Sequence, residues 1–321
     1  MKMLSPKHIG IILGALYGIA MRVFIEFGNT MNFSSLVTIS FMFLVPVAIG
    51  YIRIYYECKA NQSMSYKQMA VKAWQPIFVF LLVSVATLLE GSICVAMALP
   101  AFMLFASIGG MLAGFVHRTW VQKDKKVLMS VAFLPLVLSP LEVNLLALSQ
   151  TYEVKNDIVI YAPIEVVWRQ LADVSYIEEG EFPLSFSQFI GIPRPLQADM
   201  DANGVGAIRT SKWQKGVVFK EVITDWQPNQ HMLYRFDIDP DLIPDNALDK
   251  HVKLGGEYFS PLYGGYFLTS ISDGQTRLTL KTTFQDNTSF GIYSRFWGEV
   301  IFQDFHHSLL TLLKKRSEKA V

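Results

Sequence analysis

Cysteine is nearly absent from this chain: there are 2 in 321 residues, Cys58 and Cys94, both in the first half. A disulfide framework and a cysteine metal site are thereby excluded. The sequence has no HxxxH or CxxC spacing, no carboxylate cluster and no phosphate-binding glycine loop, so no motif implies a metal or a cofactor. Charge is also scarce. Asp, Glu, Lys and Arg make up 17% of the chain and leave a net charge of +1, which gives no support for nucleic-acid binding. Apolar residues at 51% exclude a disordered chain.

The bland total hides two unlike halves. Residues 1–150 carry eleven basic and five acidic side chains, and residues 151–321 carry seventeen and twenty-two. The first half reads as a transmembrane helical domain (1–150) and the second as a separate folded domain (151–321). Five apolar runs in the first half approach or exceed the roughly 20 residues that cross a bilayer as a helix. They cover about Ile9–Phe27, Leu36–Tyr56, Trp74–Leu89, Ile93–Val116 and Val127–Leu148. The first is too long for a signal peptide, lacks a small-residue cleavage site and is followed directly by further spans.

Basic residues gather in alternate loops. Lys2 and Lys7 precede the first run, Arg53, Lys59, Lys67 and Lys72 separate the second from the third, and Arg118, Lys123, Lys125 and Lys126 separate the fourth from the fifth. Five crossings of a cell (inner) membrane, with the N-terminus inside and the C-terminal domain on the outer face, satisfy this distribution. Glu90-Gly91 and Pro100 leave three alternatives: a hairpin between two short spans, a kink in one helix, or a re-entrant segment. Loss of one crossing would reverse the side of the C-terminal domain. Glu90 and Glu142 fall near span ends, where interfacial water is available. The spacing of Ala106, Gly110 and Gly114 points to close helix packing.

The pattern changes after Tyr152. Asn156–Tyr161 reads as a strand, and Ala162-Pro163 leads into a short helix over Ile164–Ala172, since proline suits the first helical position. Residues 174–196 read as irregular. Strand signals follow at about Ala207–Gln214, Gly216–Trp226, His231–Asp239, Gly265–Ile271 and Thr276–Phe284. The last element, about Ile292–Lys315, has helical length and a basic end. This order predicts an α+β helix-grip domain, a curved antiparallel sheet around one long C-terminal helix. A sheet gripping one helix encloses a natural place for an apolar ligand.

Several segments carry a family resemblance. Ile158-Val159-Ile160-Tyr161-Ala162-Pro163-Ile164-Glu165-Val166-Val167-Trp168 resembles the opening of the START-like, Bet v 1-like (SRPBCC) superfamily, and more narrowly its polyketide cyclase/dehydrase and lipid-transport branch. Gly204–Thr210 with Gly216–Trp226 is similar to that branch's central hairpin, and Gly264-Gly265-Tyr266-Phe267 and Thr276-Arg277-Leu278 to its later strands. The resemblance covers about residues 152–318 and none of the membrane half. It implies the helix-grip fold and a pocket, and leaves open whether the domain carries lipids or catalyses a reaction.

Within that frame the candidate ligand-binding residues are Trp213, Phe219, Tyr234, Phe236, Leu278, Leu280, Tyr293, Phe296, Trp297 and Val300, which an ordinary core would also explain. The weak catalytic candidates are Glu299 and His306, which with Gln303 share one helix face at i, i+4 and i+7. An acid and a histidine in a dry cavity are suited to an aldol-type cyclisation. A solvated polar stripe is the competing reading. The resemblance adds weight to His306, because relatives in this branch often have a histidine there. Arg209 is expected in a surface ion pair, with an anionic head group as the alternative, and His251 in a loop. The interrupted stretch between Asp239 and Gly264 reads as a long loop whose Tyr258, Phe259, Leu262 and Tyr263 form a lid or a membrane-facing rim, with a loop packed on the sheet edge as the alternative.

Beside a non-catalytic assembly or sensing protein, which would have a filled core, two functions remain. One is a membrane-anchored module that binds lipids or other hydrophobic small molecules, with the bilayer and that ligand as its partners. The other is a cyclase or dehydratase acting on an aromatic or polyketide-like substrate.

Overall fold

The computed structural model describes residues 6–30, 39–60, 64–120, 124–142, 149–244, 246–249, 253–256, 258–288 and 290–321. Two compact units divide the chain: one holds the residues up to 148 together with 288–290, the other 149–287 and 291–321. His251 and the stretch 143–148 lie outside the described residues, as does the side chain of Glu142.

The first unit is helical. Its elements are α1 (Pro6–Thr30), a π-helical turn (Ser40–Leu44) leading into α2 (Val45–Ala60), α3 (Tyr66–Lys72), α4 (Trp74–Ala86), α5 (Ser92–Thr119) and α6 (Asp124–Glu142). Among the described residues, four stretches are long and apolar enough to cross a membrane: His8–Phe27, Ser40–Ala60, Tyr66–Ala86 and Ser92–Thr119. The fifth run is helical over Asp124–Glu142, and its remainder falls outside the described residues.

The third stretch starts earlier than its apolar run suggested. Ser65 caps α3 in a reciprocal box with Gln68, and only Ala73 separates α3 from α4. Lys67 and Lys72 are therefore helical rather than loop residues, as are Arg53 and Lys59 on α2. Of the three alternatives at 90–100, Glu90 and Gly91 form the turn between α4 and α5, and α5 runs unbroken through Pro100.

Close packing accounts for the small residues. A Cβ on Gly50 would collide with the backbone of Ala106, one on Gly109 with that of Val47, and one on Gly114 with Met69. The unit also buries charge in two clusters. Glu57 accepts from Arg53 Nη1 at 2.7 Å and from Lys72 Nζ at 2.6 Å, while Arg53 also reaches Gln75. Arg22 donates to Glu26 at 2.8 Å, to Glu90 and to the Leu89 carbonyl. These pairings offset the cost of burying the two guanidiniums.

The second unit is one seven-stranded antiparallel sheet in the order β1-β7-β6-β5-β4-β3-β2. The strands are β1 (Gln150–Ile160), β2 (Pro195–Met200), β3 (Ile208–Trp213), β4 (Val218–Gln227), β5 (His231–Asp237), β6 (Phe259–Ser272) and β7 (Gln275–Asp286). Two short helices, α7 (Ile164–Ala172) and α8 (Phe186–Ile190), stand between β1 and β2, and α9 (Gly291–Lys319) closes the chain. Alternate residues of each strand turn inward, as in Arg209 and Ser211, Phe219, Glu221 and Ile223, Met232 and Tyr234, and Leu278, Leu280, Thr282 and Phe284. Leu309, Leu310, Leu312 and Leu313 of α9 pack on that face with Val167, Trp168 and Leu171 of α7. This is the helix-grip arrangement.

Two expectations fail here. The stretch 174–196 is not wholly irregular: it holds α8, and β2 begins at its end with Pro195 and pairs with β3 at the sheet edge. Phe259, Leu262 and Tyr263 are not loop residues either. They lie on β6, which pairs with β7 from Phe259↔Asp286 onward across a register shift between Pro261 and Tyr263. The bulge is what a proline inside a strand requires, and it breaks the alternation that marks strands in sequence. Tyr258 sits just ahead of β6, its carbonyl accepting from the Asn287 amide at 3.0 Å.

Candidate functional site: the concave face of the C-terminal sheet

The register of β3 and β4 sets Arg209 directly opposite Glu221, on the inward side of both strands. Cross-strand neighbours on one face lie close enough for opposite charges to meet. Arg209 Nε is 2.9 Å from Glu221 Oε2, and both side chains are buried. The distance is that of an ion pair, yet neither atom attains hydrogen-bond geometry with a partner. The guanidinium is otherwise held by the Leu171 carbonyl at 3.2 Å and the Tyr266 hydroxyl at 3.5 Å. It lies 5.5 Å from the ring centroids of both Tyr234 and Tyr266.

The electrostatics follow from burial. Burial pushes the Glu221 carboxyl above the usual carboxylate range, and the Arg209 charge holds it partly down. Burial likewise raises the Tyr234 and Tyr266 hydroxyls, which stay protonated donors. The expected surface ion pair at Arg209 is thus corrected. The residue points into the sheet's concave side, because position 209 shares the phase of Ser211 and Trp213 on β3.

Aromatic rings continue from this cluster. Tyr234 meets Phe236 edge-on at 5.3 Å, Phe236 lies 5.9 Å from Phe219, and Phe219 lies 5.8 Å from Trp213. Trp213 stacks at 5.0 Å on Phe305 of α9, which also contacts Phe182. Trp213, Phe236 and Phe305 are only half-buried, so the row runs from a closed polar end to a partly open aromatic end.

The predicted ligand residues divide. Trp213, Phe219, Tyr234 and Phe236 belong to this row. Leu278 and Leu280 are fully buried beneath it. Tyr293 and Trp297 form a second cluster, in which Phe186 stacks on Trp297, while Val300 is half-buried and Phe296 is exposed. Phe259 packs on Phe284 at 5.3 Å and on Phe302 at 5.7 Å. Leu262 is half-buried on β6, and Tyr263 is exposed there.

Glu299 and His306 have different surroundings. Glu299 accepts from Arg295 at 2.7 Å near the surface. His306 is buried, with Nε2 2.8 Å from Thr282 Oγ1 and Nδ1 3.0 Å from Asn156 Oδ1. Burial pushes its pKa down to about 4. Gln303 between them is exposed. Sequence reasoning missed Glu221, Tyr266 and Phe305. The first two follow from the strand alternation that marked Phe219 and Tyr234, and Phe305 is eight positions, two helical turns, beyond Trp297.

No family model matches the chain, and no curated protein matches it. Solved structures do. The Zhui aromatase/cyclase from a Streptomyces species is 13% identical, with 53% of this chain and 95% of that one covered and a TM-score of 0.35. Norcoclaurine synthase from Thalictrum flavum, in complex with dopamine and hydroxybenzaldehyde, is 11% identical over 52% and 86%, with a TM-score of 0.32. A protein from Thermus thermophilus is 19% identical over 53% and 99%, with a TM-score of 0.34.

Proposed function

We propose that this chain is a multi-pass membrane protein whose C-terminal unit binds a hydrophobic small molecule on the concave face of its sheet. The buried Arg209–Glu221 pair carries the reading. Glu221 already faces the Arg209 guanidinium, so a carboxylate or phosphate entering beside the pair would set a second acidic group against it in a dry site. An uncharged apolar molecule with one hydroxyl fits better: it offers a donor to Glu221 Oε2 and an acceptor to Arg209 Nε, the two atoms without hydrogen bonds. The row of rings from Tyr234 to Phe305 is suited to the apolar body. The apolar helices of the first unit would hold the site beside a bilayer, raising the effective concentration of a membrane-derived ligand.

The alternation of basic residues, counted near helix ends as well as in loops, supports five crossings, with the last spanning segment beginning in α6 and the C-terminal unit on the outer face of a cell membrane. Reporter fusions at the C-terminus test this topology. Alkaline-phosphatase activity is expected, and fluorescence from a cytoplasm-only reporter would reverse the assignment.

The binding experiment uses the full chain, extracted with its surrounding lipid and analysed for co-purifying small molecules. Neutral hydroxylated lipids should be enriched over bulk membrane lipid, and the Arg209→Met/Glu221→Leu double variant should lose that enrichment. Equal retention by both proteins would sink the reading.

A cyclase or dehydratase reading rests on one observation. Glu221, with its carboxyl raised by burial and two tyrosine hydroxyls nearby, is the kind of group that acts as an acid. Conversion of the bound molecule during incubation, lost in Glu221→Gln, would favour it.

A further inference from the structure

Five large apolar side chains stand exposed on α8, the residues just before it and the start of α9. Leu184 is 97% exposed, Phe189 87% and Ile292 92%, with Phe186 and Phe296 beside them. The elements are joined. Phe186 stacks on Trp297 and Phe296 packs against the same ring. Asp304 of α9 accepts from the Ser185 hydroxyl at 2.6 Å and from the Ser187 amide at 2.8 Å. The side chains therefore crown one rigid corner, formed by α8 and the first turns of α9. Exposed apolar side chains grouped in this way mark an interaction surface.

The path of the chain says what covers it. β1 opens at Gln150, paired with Asp286 at the end of β7, and Gln285 reaches Ser149 at 2.6 Å. A Cβ at Gly291, the first residue of α9, would lie 3.6 Å from the Gln150 side chain. The corner that begins α9 is thus the corner where the chain enters from the helical unit. Only seven residues, 143–149, separate Glu142 at the end of α6 from Gln150, a reach of about 28 Å at full extension.

We infer that this corner is a membrane-docking surface: Leu184, Phe186, Phe189, Ile292 and Phe296 insert into the interfacial layer of the bilayer that holds the chain's own apolar helices. The inference rests on the membrane reading above. A short tether keeps the corner near that bilayer whatever else is present, and phenylalanine and leucine are suited to the boundary between head groups and acyl chains. A second copy is a poorer occupant, because five side chains fall far short of the about 20–30 residues per side of a stable dimer. Docking at this corner would bring a membrane-derived molecule to α9 and Phe305 without passage through water.

The test is photocrosslinking of the full chain in phosphatidylcholine nanodiscs containing a lipid with a diazirine near the head of its acyl chain. Adducts are mapped by mass spectrometry. Labelling within 184–189 and 292–296 is expected, falling at least fivefold in Leu184→Ser/Phe189→Ser/Phe296→Ser at an unchanged melting temperature. Labelling of α1, α4 and α5 without labelling of the corner overturns the docking surface while leaving the membrane reading intact. Absence of label from both overturns the two together. Should the triple variant melt lower, the single Phe189→Ser, on an 87% exposed side chain, serves instead and should halve the adducts of its own peptide. Protein–protein adducts at the corner that grow with the number of copies per disc would assign it to a second copy and also overturn the inference.

Discussion

His306 of α9 and Thr282 of β7 share a buried hydrogen bond, 2.8 Å from Nε2 to Oγ1, and Asn156 of β1 takes up the other ring nitrogen. One side chain thereby ties the long helix to two neighbouring strands. Its neutrality is built in: burial holds its pKa down to about 4, against about 6.5 for a free imidazole. The charged form is disfavoured in the native state and not in the unfolded one. Stability is therefore complete above pH 6.5 and declines as pH falls toward 4, by roughly 3 kcal/mol at the lower limit. Melting of the full chain between pH 7 and pH 4.5 should show this loss, and His306→Gln should flatten it. An unchanged slope in the variant would assign the acid sensitivity to other groups.

Arg209 and Glu221 should behave as a unit. Removing one partner leaves a charge stranded in a dry site, which costs about 3–5 kcal/mol. Glu221→Leu is expected at the severe end, because the Arg209 guanidinium cannot shed its proton. Replacing both, as Arg209→Met/Glu221→Leu, should restore most of the lost stability while abolishing selection for a hydroxylated ligand. Denaturant titration of the two single variants and the double variant provides the cycle. Additive losses would mean that the two side chains do not sense one another.

Phe259 is a half-buried strand residue rather than a loop residue. Its ring lies against Phe284 and Phe302. Phe259→Ala should cost on the order of 2–3 kcal/mol, below the roughly 3–5 kcal/mol of a fully buried phenylalanine because this ring is only half-buried. Ligand exchange should change little once both proteins are compared well below their melting temperatures. Faster exchange at equal stability would return this residue to a gating role.

What the sequence revealed follows the strength of its periodicity. β5 alternates cleanly and shows its inward Met232 and Tyr234, and the sequence also marks Leu278 and Leu280 of β7. β6 reads short in the sequence because Pro261 forces a register shift, and the bulge replaces alternation around Leu262 and Tyr263. β2 escaped notice because it has six residues, begins at Pro195 and takes its identity from pairing with β3. Arg209 was misplaced for a different reason. A charged residue on a strand is ordinarily an outward residue, and only the register that sets Glu221 opposite it makes the inward position tolerable. In the helical unit, apolar length reveals the helices, while Lys67 and Lys72 read as loop because their helix depends on a capping box and on the Lys72–Glu57 pair rather than on apolar length.

The contact between α2 and α5 gives the last prediction. At this crossing the two backbones come within touching distance: Gly50 faces the backbone of Ala106, and Gly109 faces that of Val47. A methyl group at either glycine would occupy space already taken by backbone atoms, which no rotamer change can vacate. The helices would have to separate by an ångström or more, and the packing around Phe102, Ile49 and Ile54 would open with them. Gly50→Ala and Gly109→Ala should each lower the thermal stability of the detergent-solubilised chain markedly, with Gly50→Ala/Gly109→Ala little worse than either alone, since one separation relieves both clashes. A control is available in Gly274, at the β6–β7 turn, where an added Cβ meets nothing within 4 Å. Gly274→Ala should leave the helical unit unaffected. Full additivity in the Gly50/Gly109 pair would show that the two contacts yield independently and that the crossing is more pliant than its geometry implies.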